Sequence, residues 1–489
     1  MDPQDWLKKL DADHARERRD LELYNSHFEG TMPLAYLHPE LLAELDERIQ
    51  QVVIAWPELV IDCLDERLDL EAFRISGTAK SDDGLGEIWQ YNDLDEYSQQ
   101  AHVEALVMRR SFAIVGTRDE GGDVPADIPL ITVESPLQVH AEWDPRTRQV
   151  VAARKFWKAD GPDGTKVEHS TLYLPDSTAW YVKDGAEWVP DEEHEPDEHK
   201  LGVVPVVPIV NRPRIRCPGG KSELASIIPV SSAANKIATD MMVSAEYHAM
   251  PRRVAYGFGQ EDFEDENGNR VSAWSRVAGR IWATEKTKTE GAEVEQFSEA
   301  NLRNFHDTIN LLAHIVSALG ALPPAFMGFA TQNPASADAI RSSESRLVKR
   351  AERRQHAFGN AWERVMRLAD RIQTGDWRPE LRRLEAVWRD ASTPTVAQSA
   401  DAAVKKHQAG IVPLRQTRED LGYNDEQIKL MEQEDEKAAL RDPINQIARD
   451  LSERGADGPV DDRAGQDPDA TEDEVGAAGG GPQPVATNR

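Results

Sequence analysis

The chain has 489 residues, enough at ~150 residues per domain for about three globular units, each able to bury a core. Its 57 basic residues against 87 acidic ones leave a formal charge of −30, the opposite sign to a protein built to grip nucleic-acid phosphates. Two cysteines, Cys63 and Cys217, exclude a disulfide scaffold and any multi-cysteine metal cluster and suggest a reducing compartment, and no window approaches the ~18 apolar residues of a membrane span. The opening MDPQDWLKKLDADHARERRD has no apolar stretch of signal-peptide type, so a soluble, non-secreted protein is expected.

The first ~115 residues read as mainly helical, with Leu41, Leu42, Leu45, Ile49, Val52 and Val53 spaced to form one apolar face and a similar pattern from Glu87 to Arg109. Between Ser111 and Val189 the texture changes to short β-rich runs, SFAIVG, LITV, VVAARKFW and STLYL, separated by Gly, Pro and Asp turns. A small mixed or antiparallel sheet domain is predicted there. An acidic loop, Asp191 to Lys200, leads into LGVVPVVPIVNRPR, where repeated proline restricts the chain to edge-strand or extended conformations.

Three helical segments follow. Pro229 suits a helix start, and Val230, Ala234, Ile237, Met241, Ala245 and His248 then share a stripe that Pro251 closes. A second helix, from Ser298 to Leu319, places Leu302, Phe305, Ile309, Leu312, Val316 and Leu319 at alternating spacings of three and four, a narrow seam for packing on another helix; at ~1.5 Å per residue it would be about 32 Å long. Gly320 and Pro323-Pro324 stop it. Between these rods, Arg252 to Glu295 carries β-compatible runs RRVAYGF and GRIWAT around an Asn267-Gly268 turn and reads as a small inserted domain. The third helix starts after Asn333-Pro334, with Ser336 as N-cap, and runs long through Leu347, Phe358, Trp362, Val365 and Ile372. Helical pieces continue from Val396 to Leu440, broken at Gly410 and Pro413. Residues 451–489 hold nine acids, three bases and no aromatic residue, a composition that predicts disorder.

Candidate chemistry is sparse. Gly220-Lys221-Ser222 before a helix resembles the close of a phosphate loop, but the first glycine of that motif would fall at Ile215, so a glycine-rich elbow between two domains is the competing reading. His194-Glu195-Pro196-Asp197-Glu198-His199 gathers imidazoles and carboxylates, yet the histidines are five apart and Pro196 prevents the continuous helix of a zincin site; a solvated acidic loop is the alternative. No nucleophile elbow or dinucleotide fingerprint occurs, and nothing argues for an enzyme or a cofactor. On the long helix, Lys349, Arg350, Arg353 and Arg354 share one side, and between Arg341 and Arg371 nine bases face four acids. That basic face can contact DNA or pair with a neighbouring subunit's carboxylates.

The order of elements, with Gly220-Lys221-Ser222-Glu223-Leu224, Ala234-Asn235-Lys236, Thr239-Asp240-Met241-Met242-Val243 and His248-Ala249-Met250-Pro251-Arg252-Arg253, resembles the portal proteins of tailed double-stranded-DNA bacteriophages, particularly long-tailed phages of actinobacteria. Further carriers are Ala321-Leu322-Pro323-Pro324, the run from Asn333 to Arg341 with Ser343-Glu344 and Leu347-Val348-Lys349, and the phrases ITVESP from Ile131 and VPVVP from Val204. The resemblance covers Leu21 to Leu440.

That resemblance implies an α+β chain with an N-terminal wing over 1–219 (helical to about residue 115, β-rich over about 111–190), a first stem helix over 220–250, a small α/β clip over 251–296 and a second stem helix over 297–320. A tunnel-loop region follows over 321–336, then a long wing helix and return over 337–392, a helical crown over 393–450 and the acidic tail over 451–489. It further implies a homo-oligomeric ring, a dodecamer at one capsid vertex, whose channel passes double-stranded DNA during packaging and ejection. Gly328, Phe329, Ala330, Thr331, Gln332, Asn333, Pro334 and Ala335 would line the channel, and the clip, with Arg252, Arg253, Asn267, Gly268, Arg280 and Trp282, would dock the terminase large subunit and later the head-to-tail connector. Major capsid and scaffold proteins are the other implied partners, with no membrane, no cofactor and no ATPase; the location is the virion vertex, and the host cytoplasm during assembly. Acidity suits a conduit, which must pass phosphates without holding them, and outside residues 451–489 the chain still carries −24. A minor capsid or scaffold-type adaptor without a channel is the alternative, and a nucleotide-dependent packaging component rests on Gly220-Lys221-Ser222 alone.

Overall fold

Helices come first, as the sequence predicts. The computed structural model describes residues 1–32, 52–77, 82–118, 121–160, 164–185, 187–249, 253–256, 289, 291, 293–296, 302–328, 337–392, 396–423 and 425–441. Helix α1 (Pro3–Phe28) and helix α2 (Trp56–Asp65) both carry proline in the first turn, where its missing N–H has no intrahelical partner to lose. The stretch expected to repeat the apolar pattern after Glu87 is two helices, α3 (Asp83–Tyr91) and α4 (Leu94–Met108), parted where Asp93 adopts a left-handed φ of 49°. Asp82 caps α3 by accepting the Leu85 N–H at 3.1 Å. Most of the expected face from Leu41 to Val53 lies outside the described residues. One strand in this region was not expected, β1 (Leu70–Ile75), and it pairs antiparallel with β12 (Leu384–Trp388) more than 300 residues later.

The β-rich region divides into two sheets. Strands β2 (Arg110–Gly116), β3 (Leu130–Glu134) and β9 (Val206–Val210) form one in the order β3-β2-β9. Strands β4 (Val139–Trp143), β5 (Val150–Asp160), β6 (Lys166–Tyr173), β7 (Thr178–Asp184) and β8 (Glu187–Pro190) form a five-stranded antiparallel meander. Period two assigns the faces. In β2, Ala113 and Val115 join the helical core with Ile131, Val207 and Ile209, while Phe112 and Ile114 meet Val139, Ala141 and Ala153 of the meander. On the meander's opposite face, Ala152, Leu172 and Tyr181 pack on Leu7 and Leu10 of α1. Helices, three-stranded sheet, meander and α1 are therefore stacked layers. Pro208 sits opposite Phe112 on the edge strand β9, the placement its missing donor allows.

The rods also appear. Helix α5 (Ile228–Ala249) begins one residue before Pro229, and helix α6 (Arg303–Gly320), with 18 residues and thus ~27 Å, is shorter than the expected second rod. The two pack together. Of the inserted segment between them, the described part is chiefly a pair of strands at its two ends: β10 (Arg253–Tyr256) pairs antiparallel with β11 (Glu293–Gln296). The chain thus goes out along α5 and returns along α6. Buried positions on α5 are Ser231, Ala234, Asn235, Ala238 and Thr239, about one residue off the expected stripe, because polar groups there have partners: Asn235 Oδ1 accepts the Ile54 N–H at 2.9 Å and Thr239 Oγ1 donates to the Asn235 carbonyl at 2.8 Å. The α6 seam holds through Ile309, Leu312 and Val316 but ends in Ser317 and Gly320, and Leu319 is turned outward with Leu311 and Ile315. Gly320 explains the change, since a Cβ there would stand 3.2 Å from Val60 of α2 and from Leu322.

The long helix α7 (Ala337–Thr374) spans 38 residues and lies across β9, β2 and β12. Its core face carries Phe358 and Trp362. The indole of Trp362 meets Trp89 edge-on at 5.2 Å and donates to His102 Nε2 at 2.9 Å; the His102 ring stacks on Phe358 at 5.1 Å. Burial drives His102 down to about 3, which keeps the imidazole neutral and its Nε2 an acceptor. A second compact unit, Pro394–Arg489, is described over α8 (Val396–Gln408), α9 (Leu414–Asp420) and α10 (Asp425–Arg441), with the breaks at Gly410 and Pro413 where the sequence places them. Trp362→Ala is expected to destabilise the Met1–Thr393 unit by about 3–5 kcal/mol, through lost packing and an orphaned His102 acceptor, read as a lower unfolding midpoint by tryptophan-independent far-UV circular dichroism in urea.

Candidate functional site

Helix α5 is reached through an elbow at residues 219–223, and the elbow is where the rods join the layered part of the fold. Gly220 takes φ 82° there, and a Cβ at that position would lie 2.5 Å from the Asn211 carbonyl and 2.6 Å from that of Arg109. Only glycine fits. The amides that a phosphate would need are already donated: Gly220 N–H to the Cys217 carbonyl, Lys221 N–H to Asn211 and Glu223 N–H to Leu106, while fully buried Ser222 uses its Oγ to accept the Leu224 N–H at 3.0 Å. Gly220-Lys221-Ser222 is an elbow, and the phosphate-loop reading fails on these hydrogen bonds.

The last elbow residue, Glu223, is the focus of a buried charge cluster. Its carboxylate pairs with Arg350 and Arg354 of α7 and, at 3.4 Å, with Arg212. Arg350 also donates to the Leu319 carbonyl at 2.9 Å, at the C-terminal end of α6 where the helix dipole is negative, and Arg354 donates to Asn211 Oδ1 at 3.2 Å. Asn211 closes the set by donating Nδ2–H to the Lys221 carbonyl at 2.8 Å. Burial pushes the Glu223 carboxyl upward, but Arg354 and Arg350, with Arg212 behind them, outweigh it and hold the group below its ordinary range. One carboxylate therefore ties the entry to the first rod, the end of the second rod and the long helix.

This cluster divides the basic face read from the sequence. Arg350 and Arg354 turn inward to Glu223 and are not part of a surface, because i,i+4 spacing places both on the elbow side of α7. Lys349 and Arg353 point to solvent, Lys349 paired with Glu352. Gly328, with φ 80°, ends a short 3-10 turn, Pro324–Met327, and Phe329, Ala330, Thr331, Gln332, Asn333, Pro334 and Ala335 lie outside the described residues. Of the clip positions Arg253 is the first residue of β10, opposite Gln296, and Arg252, Asn267, Gly268, Arg280 and Trp282 also lie outside them. In the histidine loop, His194 Nδ1 is 2.9 Å from Asp191 Oδ2 and His199 Nδ1 accepts the Leu201 N–H, local pairings of a solvated loop. Among the described residues no three His, Cys, Asp or Glu side chains are grouped to hold a metal ion, and no helix is long and apolar enough to cross a membrane.

Residues 7–440 match the family described as phage portal protein, SPP1 Gp6-like. The chain belongs to that family. The portal protein of Mycobacterium phage L5 is 36% identical over 435 residues, 86% of each chain, and that of Mycobacterium phage D29 is 37% identical over 393 residues, 79% of each. Both come from actinobacteriophages, the group to which the sequence phrases point. Among solved structures, a chain in the virion of a native gene transfer agent particle is 13% identical with a TM-score of 0.44, over 76% of this chain and 90% of that one. A chain in the neck of the empty particle is 13% identical at 0.42, over 80% and 95%. This portal protein is a structural component of a phage virion with a mixed α+β fold.

Two outcomes follow for the elbow. Glu223→Ala leaves three guanidinium groups without their carboxylate and is expected to destabilise this portal protein by about 3–5 kcal/mol in urea unfolding. Because the folded Glu223 carboxyl is held low, its stabilisation is complete above the ordinary carboxylate range near ~4.3 and is lost as pH falls below it, so Glu223→Gln should flatten part of the acid limb of a stability–pH curve. Gly220→Ala should lower the unfolding midpoint more than Gly219→Ala, since its clash is with two backbone carbonyls and not with the movable end of Arg110.

Proposed function

We propose that this portal protein closes into a ring, a dodecamer at a single capsid vertex, whose axial channel carries double-stranded DNA inward during packaging and outward during ejection. The observation that carries the reading is the pair of packed rods α5 and α6, out and back, rooted together on Glu223 and bearing an insertion at the far end. The rods are the stem, and residues 251–296 the clip on which the terminase large subunit docks and which later receives the head-to-tail connector. The layered part over 1–219, with α7 and its return over 337–392, is the wing; residues 393–450 are the crown toward the capsid interior, and residues 328–335 are the tunnel loop. Capsid and scaffold proteins surround the ring during assembly in the host cytoplasm.

Passage without capture is the physical requirement. Each phosphate neutralised by a lysine or arginine releases counterions and adds a salt-sensitive binding term, so a wall that gripped the duplex would stall it. The strong negative balance outside residues 451–489 supports a lining that repels. No hydrolysis is required of this chain, since its elbow amides and Ser222 are internally committed; work is supplied by the docked motor.

Particle-class averages of the purified protein are expected to show closed rings with a central opening wide enough for a duplex. Monomers only, or rings without a bore, would sink the reading and favour the adaptor without a channel. Replacing residues 328–335 by a bulky, rigid segment should abolish DNA packaging while ring averages stay unchanged; normal packaging in that variant would remove the tunnel-loop assignment.

A further inference from the structure

The outer face of α7 is strongly segregated in charge. At about 100° per residue, Arg346, Lys349, Arg353, Arg364, Arg367 and Arg371 fall within a quarter of the helix circumference, over about 38 Å of its length. Between them the same arc carries only Asn360 and His356, and its acidic neighbours Glu352, Glu363 and Asp370 border one edge. Arg346, Lys349, Arg353 and Arg364 are exposed. Trp362, the core anchor of the helix, is nine residues from Arg353, about half a turn around, so these four point away from what α7 packs on, whereas Arg367 and Arg371 are half-buried, Arg367 donating to the Leu381 carbonyl at 3.4 Å and Arg371 lying 3.9 Å from Asp376.

What α7 packs on through Trp362 and Phe358 is α3 and α4, by way of Trp89 and His102. From Asp82 to Met108 these helices hold seven acidic residues and no lysine or arginine. Leu85, Ile88 and Trp89 face inward, whereas Asp83, Glu87, Asp93 and Glu96 are exposed with Tyr91 and Tyr97. One molecule thus presents a basic stripe on one flank and an acidic, tyrosine-bearing surface on the opposite one.

We infer that the basic stripe of α7 docks on the acidic α3–α4 surface of a second copy of this chain, head to tail. The inference rests on the ring reading above and names its contact. Subunits that each carry −30 repel one another unless unlike charges are brought together, and two different, complementary patches on opposite flanks are what a rotational, heterologous contact needs. The exposed Tyr91 and Tyr97 rings add faces on which guanidinium groups stack. Residues Arg350 and Arg354 are excluded from this contact by Glu223.

The test uses full-length protein in two charge-reversed forms, Arg353→Glu with Arg364→Glu, and Glu87→Lys with Glu96→Lys, sized by mass photometry and imaged by negative stain. Each form alone is expected to lose rings and remain monomeric with an unchanged circular dichroism spectrum. Mixed in equal amounts, the two should regain rings, because every stripe then meets a patch of opposite sign around an alternating circle. Rings from either form alone, or no rings from the mixture, overturn the contact. Rings that persist in the first form while retardation of a short DNA duplex is lost also overturn it and make the stripe a DNA surface. Absence of rings from the unaltered protein as well would instead bring down the ring reading itself, and this contact with it.

Discussion

A single buried carboxylate, Glu223, is shared by two inward guanidinium groups, Arg350 and Arg354, with the exposed Arg212 at its edge, and that imbalance constrains everything around it. One negative charge cannot neutralise both inward guanidinium groups, so the remainder is met by dipoles: the Leu319 carbonyl at the end of α6, the Arg350 carbonyl within α7 and the Asn211 side-chain oxygen. Each of those acceptors belongs to a different element. None can move away without stranding a buried charge, so the elbow, the second rod and the long helix keep one relative position. Apolar side chains of equal volume could hold the same elements together about as strongly, but they would tolerate sliding, which directional charge-assisted hydrogen bonds do not.

Charge is used twice in this chain, at different ranges. Over the whole molecule the negative excess opposes phosphate capture. At short range the sign is sorted: bases gather along the solvent side of α7 and acids along α3 and α4, with the aromatic cluster of Trp89, His102, Phe358 and Trp362 between them. That cluster is neutral, His102 included, so it separates the two charged surfaces by an apolar core and lets each face outward undiminished.

The elements legible in the sequence are those whose cause is local. Proline at 229, the stop at Gly320 and Pro323, the period-two runs from Ser111, and the breaks at Gly410 and Pro413 all act within a few residues and all stand where they were read. Partners distant in sequence were not legible. Arg350 and Arg354 carry a visible i,i+4 signal, but their carboxylate lies 127 and 131 residues upstream, and grouping them with Lys349 and Arg353 mixed an inward pair with an outward one. The β1–β12 pairing was missed for the same reason: neither strand has a turn or neighbour that announces the other. The elbow was legible from Gly220, since a left-handed glycine before a helix needs only local reading, whereas its ionic lock was not.

The rods show why a lock at their root matters. Many of the buried side chains on the rods are small, Ser231, Ala234 and Ala238 on α5 and Ala313, Ser317 and Gly320 on α6, which lets the backbones come close, while Ile309, Leu312 and Val316 supply the apolar seam of α6. Specific hydrogen bonds also hold the base: Asn235 Oδ1 accepts the Ile54 amide, Ser317 Oγ donates to the Leu322 carbonyl, and Arg350 donates to the Leu319 carbonyl. Ala321, held left-handed at φ 59°, then turns the chain sharply out of α6 so that Leu322 is buried beside Ser317. Glu223 and its arginines therefore fix the root of both rods to the layered part, with Arg350 joining the entry to α5 and the C-terminal end of α6 to the long helix in one site.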